Sequence, residues 1–260
     1  MNGSDDEVLV VERHDTVCLV TLNRPRVLNV LDERLADALV ATFAGIADDP
    51  AVRAVVLAGA GRSFMAGGDL TRFYADLDGA PATAALLIDR FHALMLTIKA
   101  MRQPVIAAVQ GPVAGGGVGL ALACDLVIAA EDATFLSAYT KLGTSPDGGT
   151  TWSLAKLLGP RRALEFILYN EPMDAATALQ LGLVNQVVAG SRLVETAMER
   201  ANLLARSSAT AVASVKRLVY AAAASTFDDQ LDREKQAFVA AAGTDDFRNR
   251  IRAFVEKRAP

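Results

Sequence analysis

Apolar positions in the segment LDERLADALVATFAGIADDP fall at Leu31, Leu35, Leu39, Phe43 and Ile46, the spacing of four and three that lines one face of a helix. Before it, EVLVVER and TVCLVTLN are rich in β-branched and apolar residues and flank a turn at His14–Asp15, so they read as two short strands. The unit is ββα, and its second half recurs. VRAVVLAG predicts a buried strand, AGRSFMAGGDL a glycine-bearing loop, and a helix from about Pro81 to Met101 carries Leu87, Phe91, Leu94, Ile98 and Met101 at alternating spacings of four and three. PVIAAVQG predicts another strand, and Gly115, Gly116 and Gly117 open a short helix. DLVIAAED is a strand again, and a helix from Asp174 to Leu181 precedes LVNQVV. Strands alternating with helices imply an α/β fold with parallel pairing.

From Ser191 the strand pattern stops. SRLVETAMERANLLARSS, ATAVASVKRLVYAAAA, TFDDQLDREKQAFVAAAG and DDFRNRIRAFVEKRAP read as four consecutive helices. The expected organisation is a core over residues 1–190 and a helical region over 191–260, with no Gly/Ser-rich linker between them.

Composition narrows the partners. The 260 residues are 52% hydrophobic and 22% charged, enough for one large globular unit. A net charge of −4 and the lack of a Lys/Arg-rich run argue against nucleic acid or an anionic membrane as the main partner. Cys18 and Cys124 lie inside apolar segments without metal-ligand spacing, so they read as buried free thiols, and no metal site is expected. The stretch MNGSDDEV is acidic with no apolar core, and the longest apolar runs are broken by Asp125 or Glu131 short of membrane-spanning length. These features predict a soluble, cytoplasmic chain in which any anionic ligand is held locally.

Three consecutive glycines weaken a backbone, since each costs roughly 0.5–1 kcal/mol in an element interior relative to alanine. Two explanations remain open: a tight turn where a helix packs closely on a neighbour, or a place where backbone N–H groups must reach a ligand at the positive end of a helix. A second glycine loop, around Gly67 and Gly68, also follows a strand and leads into a helix. Two such loops could each aim one N–H at the same oxygen, which is an oxyanion hole.

The stretches LNRPRVLNVLD, SFMAGGDL, PVIAAVQGPVAGGGVGLALACDLVIAA and ALQLGLVNQVV together resemble, in order and spacing, the crotonase (enoyl-CoA hydratase/isomerase) superfamily. The resemblance implies a spiral of ββα turns, a coenzyme A thioester as substrate with no further cofactor, and a trimer or dimer of trimers built with the C-terminal helices. It implies that the thioester oxygen accepts hydrogen bonds from the N–H groups of Gly68 and Gly116. It also implies that Arg26, Leu28, Ala66, Asp69 and Leu70 line the coenzyme A tunnel. Phe254 and Lys257 resemble the family's terminal helix, where a lysine approaches coenzyme A phosphates, sometimes across a subunit boundary; a solvated lysine is the other reading.

The chain departs from the hydratase pattern where that pattern places two glutamates. Here those positions hold Gly119 and Tyr139, so water addition by the usual carboxylate pair is not expected. A carboxylate is offered by Asp147 in GTSPDGGTTW. Pro-Asp-Gly is a common turn, and Asp147 could cap the following helix. In family members that shift double bonds or isomerise the ring epoxide of phenylacetyl-CoA, however, an acid at this position faces the acyl group, and PDGGTTWSLAKLLGPRRALEF is similar to the latter. The expected activity is therefore isomerisation through an enolate with Asp147 as acid/base. One alternative makes Asp147 a nucleophile, as in aryl-CoA dehalogenases, with Tyr139 as the nearby aromatic and His92 as the histidine. His92 also reads as a packed or half-exposed helix residue. A further alternative is an acyl-CoA binder without turnover.

Overall fold

The computed structural model describes residues 7–257. Strands β1 (Leu9–His14) and β2 (Val17–Leu22) form an antiparallel hairpin, and β3 (Ala54–Gly59), β4 (Val105–Val109), β6 (Leu126–Ala130) and β9 (Gln186–Val188) follow β2 in parallel. The resulting six-stranded sheet has the order β1-β2-β3-β4-β6-β9. β3 and β4 are buried along nearly their whole length because helices cover both faces, which is why they read as continuous apolar runs.

A second sheet escapes the periodicity analysis. β5 (Pro112–Ala114), β7 (Thr134–Leu136) and β8 (Met173–Asp174) pair in the order β5-β7-β8. Two or three residues are too few to show alternation, and these strands exist through their partners.

Helix α1 (Glu33–Asp48) starts at Asp32, whose carboxylate accepts the N–H of Leu35 at 2.8 Å, and buries Leu35, Leu39, Phe43 and Ile46. It packs on α3 (Ala80–Ala100), which buries Leu87, Phe91, Leu94, Met95 and Ile98. By length and mean composition α3 could cross a membrane, although Asp89, Arg90 and Lys99 interrupt it. Its buried stripe is part of the core. A short helix, α2 (Leu70–Ala75), precedes it. Next come α4 (Gly116–Ala123), α5 (Thr150–Tyr169), kinked at Gly159–Pro160, and α6 (Ala175–Gln180).

After β9 the described chain is helical, with α7 (Leu193–Arg206), α8 (Ala209–Ala222), α9 (Phe227–Ala242) and α10 (Asp245–Val255). Helix α7 nevertheless belongs to the core by packing: Leu193, Ala197 and Ala201 close the second face of the sheet against Val56, Ile106 and Ile128. The last three residues of the terminal segment read as helix lie outside the described residues. Cys18 and Cys124 are buried and free.

Helix α8 is fastened to the core by a buried charge. The Lys216 ammonium meets Asp125 at 2.8 Å and donates to the carbonyls of Ile98 (2.7 Å) and Gln103 (3.1 Å). Asp125 also accepts the N–H of Val105 and the hydroxyl of Tyr220, both at 2.8 Å. Removing one partner leaves the other charge buried and unpaired. Lys216→Met should therefore lower unfolding stability by about 3–5 kcal/mol, read by denaturant titration.

Candidate active site

Three loops converge beyond the C-terminal ends of β3 and β4. The segment 65–69 runs between 28–31 and 113–114: Ala66 N–H donates to Leu28 O (3.0 Å), Leu31 N–H to Gly67 O (2.8 Å), Asp69 N–H to Leu31 O (2.9 Å) and Ala114 N–H to Met65 O (2.9 Å). Met65 and Val113 are parallel partners, as are Leu31 and Gly68, so the 65–68 strip is held on both sides. Gly67 adopts φ +91°, and a Cβ on it would lie 3.7 Å from the Gly116 nitrogen, so the two loops touch backbone to backbone. Among the described residues, no protein acceptor takes the N–H of Gly68 or of Gly116. Gly116 is the first residue of α4, where a helix leaves its N–H groups unsatisfied.

The glycine triplet divides by cause. Gly115 needs φ +52°, and a Cβ on Gly117 would sit 2.1 Å from Met65 O, so these two serve the turn and the close packing of α4. The protein does not demand a glycine at Gly116, where a Cβ would make only ordinary contact with Phe91 at 3.5 Å. Gly68 faces open space. The reading of the triplet as a tight turn and close helix packing thus holds at Gly115 and Gly117, while Gly116 keeps an N–H that no protein acceptor takes among the described residues.

The third loop carries Asp147. Its backbone carbonyl accepts Thr150 N–H at 3.0 Å, but its side chain does not cap α5: the capping residue is Gly149, without a side-chain bond. The carboxylate instead accepts the Tyr139 hydroxyl at 2.5 Å. Tyr139 is only 8% exposed. Burial, the charge of Asp147 and the hydrogen bond to it raise the phenol well above its ordinary range, so it stays a neutral donor. Gly148 (φ +57°) donates its N–H to His92 Nε2 at 3.2 Å, and the Phe91 ring occupies the place of its missing Cβ. Phe91 thereby touches both Gly116 and Gly148, so the Asp147 loop lies against the start of α4.

Gly119 lies on the side of α4 that meets this loop. A Cβ there would be 2.8 Å from Thr150 Oγ1 and 3.1 Å from Gly148 O, so the space is filled by α5 and its entry loop.

Residues expected around coenzyme A occupy the neighbouring loops. Arg26 is exposed in a 3-10 turn (Pro25–Val27), and Leu28 follows in the left-handed region at φ +57°. Ala66 is partly buried beside Gly67. Asp69 caps α2 through Thr71 N–H (3.2 Å) and meets Arg24 at 3.4 Å, while Leu70 is half exposed. Sequence reasoning missed the organiser of this region. Asn29 is fully buried at φ +55°; its amide donates to Ala60 O, Ser63 O and Phe64 O, and its oxygen accepts Arg24 N–H. The only signal was an asparagine, tolerant of the left-handed region, at the end of NRPRVLN.

Phe254 and Lys257 are not gathered with the others in the single chain. Helix α10 is anchored by the Phe247–Phe238 ring contact to α9 and by Arg250 to Arg206 O at the end of α7. The adjacent Ser207 O is held by Arg53, just before β3 begins, whereas the first glycine loop follows the opposite end of that strand. Phe254 is 83% exposed. Among the described residues no cluster of three or more His, Cys, Asp or Glu is placed to hold a metal.

The family model described as enoyl-CoA hydratase/isomerase matches residues 12–260. A probable enoyl-CoA hydratase of Mycobacterium tuberculosis is 37% identical over 254 residues, covering 98% of this chain and 97% of its own. The 1,2-epoxyphenylacetyl-CoA isomerase of Escherichia coli is 36% identical over 245 residues, 94% of each chain. The crystal structure of an enoyl-CoA hydratase from Polaromonas sp. JS666 superposes with a TM-score of 0.93 at 35% identity, covering 97% of this chain and 98% of that one. With both glycine loops and the spiral core in place, the chain belongs to the enoyl-CoA hydratase/isomerase (crotonase) family, whose enzymes act on coenzyme A thioesters.

Proposed function

We propose that the protein isomerises an unsaturated or ring-epoxide acyl-CoA, with the Gly68 and Gly116 N–H groups holding the thioester oxygen and Asp147 moving the proton. The observation that carries this reading is the pairing of Asp147 with a neutral Tyr139 in the loop packed against α4, while Gly119 and Tyr139 supply no carboxylate. For a 3-enoyl thioester the Asp147 carboxylate takes a proton from the α-carbon, and the C–H electron pair moves to the thioester oxygen as a dienolate. The two N–H groups and the start of α4 stabilise that charge. Protonated Asp147 returns the proton to the γ-carbon, giving the 2-enoyl isomer without consuming water.

A two-carboxylate hydratase orients and splits one water, and the slot at Gly119 is closed by Thr150 and Gly148. Crotonyl-CoA should therefore be hydrated far more slowly than the preferred substrate is isomerised. One preparation assayed on 3-enoyl-, 2-enoyl-, epoxyphenylacetyl- and halobenzoyl-CoA tests this by product identity. Hydration at ordinary enzyme rates, surviving Asp147→Ala, would show that the acids are misplaced.

The trimeric or hexameric assembly expected from the family is part of the same reading. It is supported by the large apolar side chains that α9 and α10 leave exposed, among them Phe227, Phe238, Phe254 and Val255. In such an assembly Phe254 and Lys257 would serve a neighbouring subunit's coenzyme A.

A further inference from the structure

His92 is the one imidazole near the candidate site, and its use is decided by which of its atoms are already committed. It projects from α3 with an exposed side chain, yet its Nε2 accepts the N–H of Gly148, 56 residues further along the chain. That N–H belongs to the peptide unit joining Asp147 to Gly148. We infer that His92 is a positioning residue for the reaction: it fixes the Asp147–Gly148 peptide and so aims the Asp147 carboxylate, without itself taking a proton from substrate. The inference rests on the reading of Asp147 as the acid/base.

Four contacts hold the loop. Tyr139 grips the carboxylate at 2.5 Å, and Thr150 N–H holds the Asp147 carbonyl at 3.0 Å. Phe91 fills the space in front of the Gly148 Cα, and His92 takes the Gly148 N–H. Without His92 the N–H side of this peptide loses its anchor, and Gly148 and Gly149, at φ +57° and +73°, follow it with no side chain of their own to restrict the backbone. Carboxylate and Tyr139 would then move together relative to Gly116. An imidazole nitrogen that accepts a hydrogen bond carries no proton, so Nδ1 holds the ring N–H and Nε2 is occupied by the backbone. The nitrogen that reaches the Asp147–Gly148 peptide is thus engaged in structure rather than available as a base.

Two substitutions separate aiming from chemistry. The amide oxygen of glutamine reaches about as far as Nε2 and accepts a hydrogen bond, but glutamine is no base; phenylalanine keeps the bulk and loses the acceptor. Turnover of 3-hexenoyl-CoA and epoxyphenylacetyl-CoA would be measured for wild type, His92→Gln, His92→Phe, Asp147→Asn and the His92→Phe/Asp147→Asn pair. His92→Phe should lower kcat roughly ten- to hundredfold, the scale of a small misplacement of a catalytic group, with KM little changed. His92→Gln should stay within about threefold of wild type, and the pair should be no worse than Asp147→Asn alone within about twofold, because the effect of His92 passes through Asp147. Thermal unfolding should be similar in all five, since His92 is exposed. If Asp147→Asn is crippled while His92→Phe keeps wild-type kcat, the positioning role is overturned and the acid/base reading stands. A His92→Gln as slow as His92→Phe overturns it too, because the imidazole would then act chemically. Full activity in Asp147→Asn, or a wild type inert on both thioesters, overturns the acid/base reading and the inference with it.

Discussion

Asp147→Asn should lower kcat at least about 10²-fold while leaving KM for the acyl-CoA little changed. The substitution preserves shape and keeps an oxygen for the Tyr139 hydroxyl, but removes the base, and general acid–base catalysis contributes about 10²–10⁴ in rate. A purely structural Asp147 predicts almost no loss, and the structure limits that alternative: the backbone carbonyl, not the carboxylate, serves the turn into α5. The nucleophile alternative makes a different forecast. An acyl or aryl adduct would accumulate on the peptide containing Asp147 during turnover and be visible by mass spectrometry. The acid/base account expects the rate loss without the adduct. Steady-state kinetics and quenched mass spectra on one preparation check both.

Gly116→Pro should be comparably severe. Proline is accepted at the first position of a helix, and Gly116 holds that position in α4, so the fold should survive while the N–H is deleted. Loss of one oxyanion donor costs about 10²–10³ in kcat. Gly116→Ala is the matched control: its Cβ meets Phe91 at an ordinary 3.5 Å and the N–H remains. The account expects the proline variant to fall about 10²–10³ below the alanine variant, with similar melting temperatures. Equal rates in the two variants would mean that the Gly116 N–H does not touch the reacting oxygen.

The elements that could be read from sequence are those whose burial repeats along the chain. Helix α3 was placed within one residue at each end because Leu87, Phe91, Leu94 and Ile98 keep a strict helical interval against α1. The second sheet was invisible because its strands are two or three residues long. Helix α7 shows the difference between element type and packing. Leu193, Ala197 and Ala201 mark its buried face at intervals of four, but a helix following the last strand reads as an appendage until the sheet behind it is seen.

The candidate site was legible to the degree that glycine is informative. Gly67, Gly115 and Gly117 announce close approach of backbone, and the structure sets the two loops side by side. The bond from Tyr139 to Asp147 spans only eight residues yet could not be read, since it depends on the 3-10 turn and the left-handed Gly143 that fold the chain back. His92 was ambiguous for a related reason. Its helix position gives exposure, while its function depends on a loop 56 residues away.

The central claim is that one carboxylate beside two N–H donors rearranges an acyl-CoA without adding water, and turnover in H₂¹⁸O tests it most directly. The thioester that is consumed should yield a product of unchanged mass with no ¹⁸O. A product heavier by one water, or one carrying ¹⁸O at the former double bond or on an aromatic ring, would contradict the account and identify the chain as a hydratase or hydrolase.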